Sequence, residues 1–236
     1  MGEMVEFPSN GHTAGGYLAT PSAGRGPGVI VIQEYWGLVG HIKDVTDRFA
    51  GAGFVALAPD LFHGKTAELK EPGKAGKLLM ELELEQAGRE MIGAARWLID
   101  GGRVAGDHVG IVGFCMGGAL ALYAASLSDL FAATVAFYPY FSLTDRGKPD
   151  YSRVRGAVLG HYAEQDQAYT HEQVEQVERQ LREAGADVET HWYPESDHAF
   201  FNDDRPEVHR PQEAQEAWER TISFLRKRLA ATAAPV

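Results

Sequence analysis

The chain has 236 residues, of which 44% are hydrophobic and 23% are charged. Its 22 Lys and Arg stand against 33 Asp and Glu, a formal net charge of −11, and an acidic surface repels phosphate backbones and anionic lipid. We therefore expect no nucleic-acid partner and no membrane partner, and no apolar run reaches the roughly 18 to 20 residues that span a bilayer. The first residues show no secretory signal pattern, and a cytoplasmic location is expected.

Short apolar runs alternate along the chain with segments of helical period. The first two predicted strands form an antiparallel pair, Glu3–Phe7 and Gly15–Thr20, around the turn Ser9-Asn10-Gly11. The later predicted strands are Gly28–Glu34, Phe54–Ala58, His108–Val112, Ala132–Tyr138, Ala157–Tyr162 and Val188–Tyr193. The predicted helices are Ile42–Ala50, Lys77–Ile99, Met116–Ala125, Glu172–Ala184 and Pro211–Leu229.

Two details concern the segment between the fourth and fifth predicted strands. Lys77–Ile99 is predicted to be one long amphipathic helix whose glutamates face solvent, namely Glu81, Glu83, Glu85 and Glu90. The Gly- and Lys-rich stretch Gly64–Lys77 is predicted to be a loop, and whether it closes over a site as a lid is left open.

Strands that alternate with helices indicate crossover connections. The fold class is therefore α/β, a mainly parallel twisted sheet with helices on both faces, and residues 1–236 are interpreted as one domain. Ligands of such sheets bind at the carboxyl ends of the strands. The chemistry is expected in the loops that follow those ends.

The strongest signal is the sequence GFCMGG at residues 113–118. It places Cys115 between glycines, directly after a predicted strand and at the start of a predicted helix. Flanking glycines allow the sharp turn that lifts a nucleophile clear of a sheet. The N-terminal helix dipole favours a thiolate and the free N–H groups can bind an oxyanion. The pattern predicts a nucleophilic cysteine rather than a packing one.

A thiol nucleophile needs a base, and the base needs an acid that orients it. His198 and Asp166 each follow a predicted strand, and the order Cys115, Asp166, His198 is that of an α/β-hydrolase triad. Glu164 and Asp197 are competing acids. The other histidines lack metal-ligand spacing, so no zinc site is expected.

Together, four segments resemble the dienelactone hydrolase family: QEYWG at 33–37, GFCMGG, AEQD at 163–166 and HAFFNDDRP at 198–206. The resemblance covers nearly the whole chain. It implies an α/β-hydrolase fold without a large cap domain, a triad of Cys115, Asp166 and His198, and Glu34 as a fourth functional group.

A carboxylate near Cys115 disfavours a neighbouring thiolate, because like charges oppose the second ionisation. In the family that this chain resembles, substrate binding displaces the glutamate, which helps to generate the thiolate. Glu34 could instead only cap the next turn. The same layout predicts an oxyanion hole made by the backbone N–H groups of Tyr35 and Met116.

The expected reaction is the hydrolysis of a small ester or lactone through an acyl-thioester, with no metal or organic cofactor. Family members are expected to bind a substrate carboxylate with arginines. Here Asn202 stands four residues beyond His198, where one such arginine is expected, and Leu61–Gly88, where another is expected, contains lysines but no arginine. Arg205, seven residues beyond His198, could reach inward. Aromatic residues suggest a flat or apolar substrate, and the predicted pocket consists of Trp36, Tyr138, Phe200 and Asn202.

Three other functions are weighed. A broad-range carboxylesterase or thioesterase would use the same triad. A redox or binding module would need neither Asp166 nor His198. A nucleotide site at the elbow lacks the spacing of a phosphate-binding loop. The sequence leaves the oligomeric state open, as a monomer or a small homo-oligomer.

Overall fold

The computed structural model describes residues 1–9, 11–147 and 149–230. Asn10, at the centre of the first predicted turn, lies outside these ranges. The strands are β1 (Glu3–Ser9), β2 (His12–Ala19), β3 (Gly28–Ile32), β4 (Val55–Pro59), β5 (Val109–Phe114), β6 (Phe131–Phe137), β7 (Ala157–Ala163) and β8 (Val188–Tyr193). Each corresponds to a predicted strand, with ends that differ by at most three residues.

All eight strands belong to one sheet, in the order β1-β2-β4-β3-β5-β6-β7-β8. The β1 and β2 strands pair antiparallel with each other, and β2 also pairs antiparallel with β4. All the remaining neighbours in this order are parallel. Every residue of β3, β4 and β5 is buried, which agrees with their continuous apolar sequences. The mainly parallel sheet is confirmed.

Helices cover both faces of this sheet. They are α1 (Gly40–Gly51), α2 (Pro72–Glu81), α3 (Leu84–Asp100), α4 (Met116–Leu127), α5 (His171–Glu183) and α6 (Pro211–Ala230), with short 3-10 helices at Phe141–Arg146 and Tyr151–Arg153. The α1 helix contacts α6, where the Phe49 and Trp218 ring centroids lie 4.7 Å apart, and α3 packs on α4. No helix within the described ranges is long and apolar enough to cross a membrane.

The single long helix predicted at Lys77–Ile99 is wrong. It is two helices, and Leu82 between them is extended, with φ −64° and ψ 122°. Leu82 and Leu84 are both buried while the glutamates beside them are exposed, so this segment has a period of two residues instead of 3.6. The alternation in the sequence LELE is the signal that the helical interpretation overlooked.

The predicted loop Gly64–Lys77 is also partly wrong, because its last residues begin α2 at Pro72, a residue favoured in the first turn of a helix. Glu90 is the one predicted solvent-facing glutamate that is buried. Its carboxylate accepts a hydrogen bond from Gln86 at 2.9 Å and lies 2.9 Å from His63 Nε2 in the loop after β4. A long-range partner therefore allows its burial.

Candidate active site

Cys115 lies on a strained turn between β5 and α4. Its backbone has φ 56° and ψ −119°, in a region that side chains other than glycine rarely adopt. Its N–H donates to the Phe137 carbonyl at 3.0 Å, and its carbonyl accepts from the N–H groups of Gly118 and Tyr140, both at 3.0 Å. These bonds hold the turn, and the predicted elbow is present.

Glycine is required beside this turn for steric reasons. A Cβ atom on Gly113 would lie 1.8 Å from the Gly117 carbonyl oxygen, and a Cβ on Gly117 would lie 2.5 Å from the Ile32 oxygen. Neither glycine can be replaced without a movement of backbone. The close approach places the start of α4 directly against the end of β3, which brings Cys115 near the loop that begins with Gln33 and Glu34.

His198 contacts both Asp166 and Cys115. Its Nδ1 lies 2.7 Å from Asp166 Oδ2, and Cys115 is the other residue that raises the pKa of this imidazole. The other Asp166 oxygen accepts the Ala168 N–H at 2.7 Å, and this fixes the carboxylate. The structure therefore brings the Asp166 carboxylate to the imidazole, and Cys115 lies close enough to affect the charge of the ring.

The residues around His198 change the pKa of its imidazole. Burial by itself lowers the pKa of the imidazole, but the interactions with Cys115 and Asp166 outweigh it and raise the pKa of His198 to about 10. Such a histidine is protonated at neutral pH and stabilises a neighbouring thiolate.

The competing acids do not contact His198. Glu164 lies 3.1 Å from His171, and Asp197 lies 3.4 Å from Arg210. Both carboxylates are substantially exposed, whereas the Asp166 side chain is almost completely buried. Among these acids, the structure therefore brings only Asp166 to the imidazole.

Glu34 follows β3 and is buried beneath the site, with 2% of its surface exposed. Asn202 donates to its Oε2 at 2.7 Å, and the Tyr138 hydroxyl donates to its Oε1 at 3.4 Å. Burial, the Glu34 carboxylate and Cys115 together raise the pKa of Tyr138 well above its usual value, so this phenol remains a donor. Glu34 and Cys115 thus both raise the pKa of Tyr138.

The two predicted oxyanion donors belong to the loop after β3 and to the start of α4. Met116 is the first residue of α4, and Tyr35 lies in the turn closed by the Gly37 N–H bond to the Glu34 carbonyl at 3.1 Å. Within the described residues neither the Tyr35 N–H nor the Met116 N–H has a protein acceptor. Both groups are therefore available to a ligand.

The side chains predicted to line the pocket are more buried than pocket-lining residues are expected to be. Trp36, Tyr138, Phe200 and Asn202 are all at most 3% exposed. Phe200 packs on Tyr193 at 4.8 Å between ring centroids, and Tyr138 lies edge-on to His198 at 5.1 Å. They support the site from within the core, and direct substrate contact by these residues stays a prediction.

Arg205 lies close enough to matter electrostatically. Its positive charge lowers the pKa of both Tyr35 and Tyr138, against the larger raising effect of burial on each. Its Nε donates to Glu207 at 3.0 Å, and the side chain is 24% exposed. That this guanidinium reaches a substrate stays a prediction.

Tyr169 is a supporting residue that the sequence analysis missed. Its hydroxyl accepts the Ala163 N–H at 2.8 Å and donates to the Ala163 carbonyl at 3.4 Å, and Asp166 contributes, after burial, to the raised pKa of this phenol. Nothing in the local pattern distinguishes it from a core tyrosine. As for metals, no group of three or more His, Cys, Asp and Glu residues in the described ranges could hold an ion.

Residues 14–229 match the dienelactone hydrolase family. The chain belongs to the dienelactone hydrolase family. As a member of this family it is a hydrolase of esters and lactones with an α/β-hydrolase fold, and its substrate is a small-molecule ester.

Relatives of this dienelactone hydrolase family member span nearly its full length. "Protein usf" of Aquifex pyrophilus is 37% identical, over 97% of this chain and 100% of its own. The "Putative carboxymethylenebutenolidase" of Aquifex aeolicus (strain VF5) is 34% identical, over 96% of this chain and 98% of its own. The crystal structure of "Putative Dienelactone Hydrolase from Klebsiella pneumoniae subsp. pneumoniae MGH 78578" is 27% identical with a TM-score of 0.82, and covers 96% of this chain and 98% of its own.

Proposed function

We propose that the protein hydrolyses a small ester or lactone through a Cys115, His198 and Asp166 triad and an acyl-thioester intermediate. The observation that carries the proposal is the buried Asp166 carboxylate bound to His198 at 2.7 Å, with the raised pKa of that imidazole beside Cys115 on the strained turn. A packing cysteine or a binding module needs neither the buried carboxylate nor the raised pKa of His198.

In the first step the Cys115 thiolate attacks the substrate carbonyl and forms a carbon–sulfur bond. The N–H groups of Tyr35 and Met116 hold the oxyanion, and loss of one such donor typically costs about 3 kcal/mol. Protonated His198 gives its proton to the leaving alkoxide as the carbon–oxygen bond breaks. In a lactone that alcohol stays attached to the acyl group.

In the second step a water attacks the thioester. Neutral His198 takes a proton from this water, the carbon–sulfur bond breaks, and the thiolate is restored beside the imidazolium while the acid leaves. Asp166 keeps the imidazole in one orientation through both steps. The cycle consumes one water and returns Cys115 and His198 to their starting forms.

The test is mass spectrometry of a trapped acyl-enzyme across a panel of esters and lactones. We expect the added acyl mass on the peptide that contains Cys115, and none on Cys115→Ala. Acylation elsewhere, or turnover that survives alkylation of Cys115, would disprove the proposed mechanism. The panel also reveals the preferred acyl group.

A broad-range carboxylesterase or thioesterase is the second candidate. It is favoured by Asn202, whose amide is committed to Glu34 at the position where an arginine was expected to bind a substrate carboxylate. The charge of Arg205 at the phenols of Tyr35 and Tyr138 favours an anionic substrate instead. Rates with p-nitrophenyl acetate and with a dienelactone distinguish the two.

A further inference from the structure

A groove between β1 and α3 lies apart from the loops that carry the candidate active site. Its volume is about 680 Å³, within the range of roughly 300 to 1,000 Å³ that is common for small-molecule pockets. Three arginines line it, Arg89, Arg96 and Arg103, against one carboxylate, that of Asp100. The groove therefore has a charge opposite in sign to the formal net charge of −11, and it attracts anions.

The two walls of the groove are held together by close contacts. Ser9 Oγ on β1 donates to the Arg89 carbonyl on α3 at 3.1 Å. A Cβ atom on Gly93 would lie 2.9 Å from the Ser9 side chain, so glycine permits this approach. The ring centroids of Phe7 and Trp97 lie 6.1 Å apart. These contacts fix the distance between β1 and α3, and the groove is preformed.

The Arg103 guanidinium is fixed in position at one end of the groove. Its Cζ lies 3.7 Å from the Trp97 ring centroid, and its Nη1 donates to the Trp97 carbonyl at 3.0 Å. A Cβ atom on Gly101 would lie 1.5 Å from that Nη1, so the guanidinium occupies space that only glycine leaves open. Within the described residues its Nε and Nη2 have no protein acceptor, and both remain for a ligand.

The other two arginines follow the exposed face of α3. Arg96 is exposed, and no ion pair engages its side chain in the part of the chain that the structure describes. Arg89 lies 3.6 Å from Glu85, whose side chain is 87% exposed, and such surface pairs are weak. Both guanidinium groups are therefore available to an anion.

The length of the groove follows from helix geometry. Arg89 and Trp97, beside which the Arg103 guanidinium lies, are eight residues apart, which is roughly 12 Å along a helix axis. Arg96 lies between them, and the apolar side chains of Ile92 and Trp97 line the groove over the same length. The groove thus has two cationic ends, a third cation between them, and an apolar wall.

A capping role accounts for Arg103 alone. Its bond to the Trp97 carbonyl lies in the last turns of α3, where the helix dipole favours a cation. Arg89 lies in the first half of the same helix, where the dipole gives a cation no stabilisation. The convergence of all three arginines on one groove therefore requires another explanation.

We propose that this groove binds an elongated dianion, with a carboxylate or phosphate group at each end and an apolar body between them. One anionic group is held by Arg103 and the other by Arg89, because guanidinium groups bind both kinds of anion with two parallel hydrogen bonds. Arg96 adds its charge between them, and the apolar body packs against Ile92 and Trp97. This is an anion site separate from the candidate active site.

The test is isothermal titration calorimetry of the full chain with 4,4′-biphenyldicarboxylate, a rigid apolar body with one carboxylate at each end. Arg96→Gln should weaken binding by roughly 10 to 100-fold, the usual effect of one hydrogen bond to a charged group. Gly101→Ala retains every charge but displaces the Arg103 guanidinium, and should cause a loss of similar size.

Two arginine variants are matched controls. Arg179→Gln removes an exposed arginine from α5, and Arg205→Gln removes the arginine nearest the candidate active site. Both should leave the dissociation constant unchanged. No heat of binding, or equal losses in Arg96→Gln and Arg179→Gln, would overturn the proposal. Binding is measured without turnover, so this failure is distinct from failure of the proposed hydrolysis.

Three further probes define the ligand. Benzoate has one carboxylate and should bind at least about 10-fold more weakly, since it loses one of the two ends. Tripolyphosphate has the charge without the apolar body and should also bind more weakly. Binding of tripolyphosphate as tight as that of the dicarboxylate would disprove the role of the apolar wall. Tighter binding of a glutamate octapeptide would assign the groove to an acidic protein segment instead.

Discussion

At the scale of single residues, backbone strain is concentrated around the candidate site. Cys115, Tyr138 and Ala199 have φ values of 56°, 35° and 66°, and such conformations cost on the order of 1 to 3 kcal/mol each. Two of them carry or directly follow a member of the proposed triad, and Tyr138 contacts both Glu34 and His198. The surrounding hydrogen bonds maintain a geometry that the residues would not adopt alone.

The acid of the proposed triad can be tested by two matched substitutions in one loop. Asp166→Asn leaves His198 without its carboxylate and should lower kcat by roughly 10² to 10⁴-fold, the usual contribution of an oriented acid–base group. Glu164→Gln removes a carboxylate that pairs with His171 on the surface, and should leave kcat nearly unchanged. Steady-state kinetics on an activated ester measure both, and equal losses would exclude a special role for Asp166.

At the scale of elements, the site is assembled by the ends of four parallel strands. Glu34, Cys115, Asp166 and His198 follow β3, β5, β7 and β8 within one to five residues of the strand ends. The parallel pairing brings these ends to the same edge of the sheet. The α4 helix is buried almost throughout, so its first residue cannot shift without disturbing the core.

The contact between the elbow and β3 predicts a difference between two glycines in helices. Gly117→Ala forces a Cβ to within 2.5 Å of the Ile32 oxygen and should destabilise the protein by about 1 to 3 kcal/mol, as overpacking usually does. Gly76→Ala in α2 meets no atom within 4 Å and should stabilise by roughly 0.5 to 1 kcal/mol. Urea unfolding measures both. A Gly117→Ala protein as stable as the parent would mean that the elbow can relax.

At the scale of the whole molecule, one buried histidine joins β7, β8 and α6. His161 Nδ1 lies 2.8 Å from the Tyr193 hydroxyl and its Nε2 lies 2.9 Å from Thr221 Oγ1. Burial, reinforced by the positive charges of His191 and Arg220, lowers the pKa of His161 well below its ordinary 6.5. The folded protein therefore contains this imidazole in its neutral form.

This shift gives a pH dependence of stability with a definite sign. Above the ordinary pKa of 6.5 the histidine is neutral in both states, and its contribution to the free energy of unfolding is complete. Below that value the unfolded chain binds a proton that the folded chain refuses, so stability falls by at most about 1.4 kcal/mol per pH unit.

Urea unfolding from about pH 7 down to about pH 5 tests it, because this range covers histidine titration. His161→Asn should show a shallower decline than the parent, although it is less stable throughout. His12→Asn, on the exposed part of β2, should retain the parental slope. A parental slope in His161→Asn would assign the pH dependence to other groups.

The strands, most helices and the elbow follow from local periodicity, glycine spacing and chain order, so they could be predicted from the amino-acid sequence. The order Cys115, Asp166, His198 could be predicted for the same reason. Features that depend on neighbours distant in sequence required the folded structure. It selected Asp166 over Glu164 and Asp197, buried Glu90 against His63, and placed the Asn202 amide on Glu34, 168 residues away. The break at Leu82 depends on the local sequence and on the folded structure. The alternation of leucine and glutamate is local, but the burial of Leu82 and Leu84 in the core stabilises the extended conformation in place of the helix.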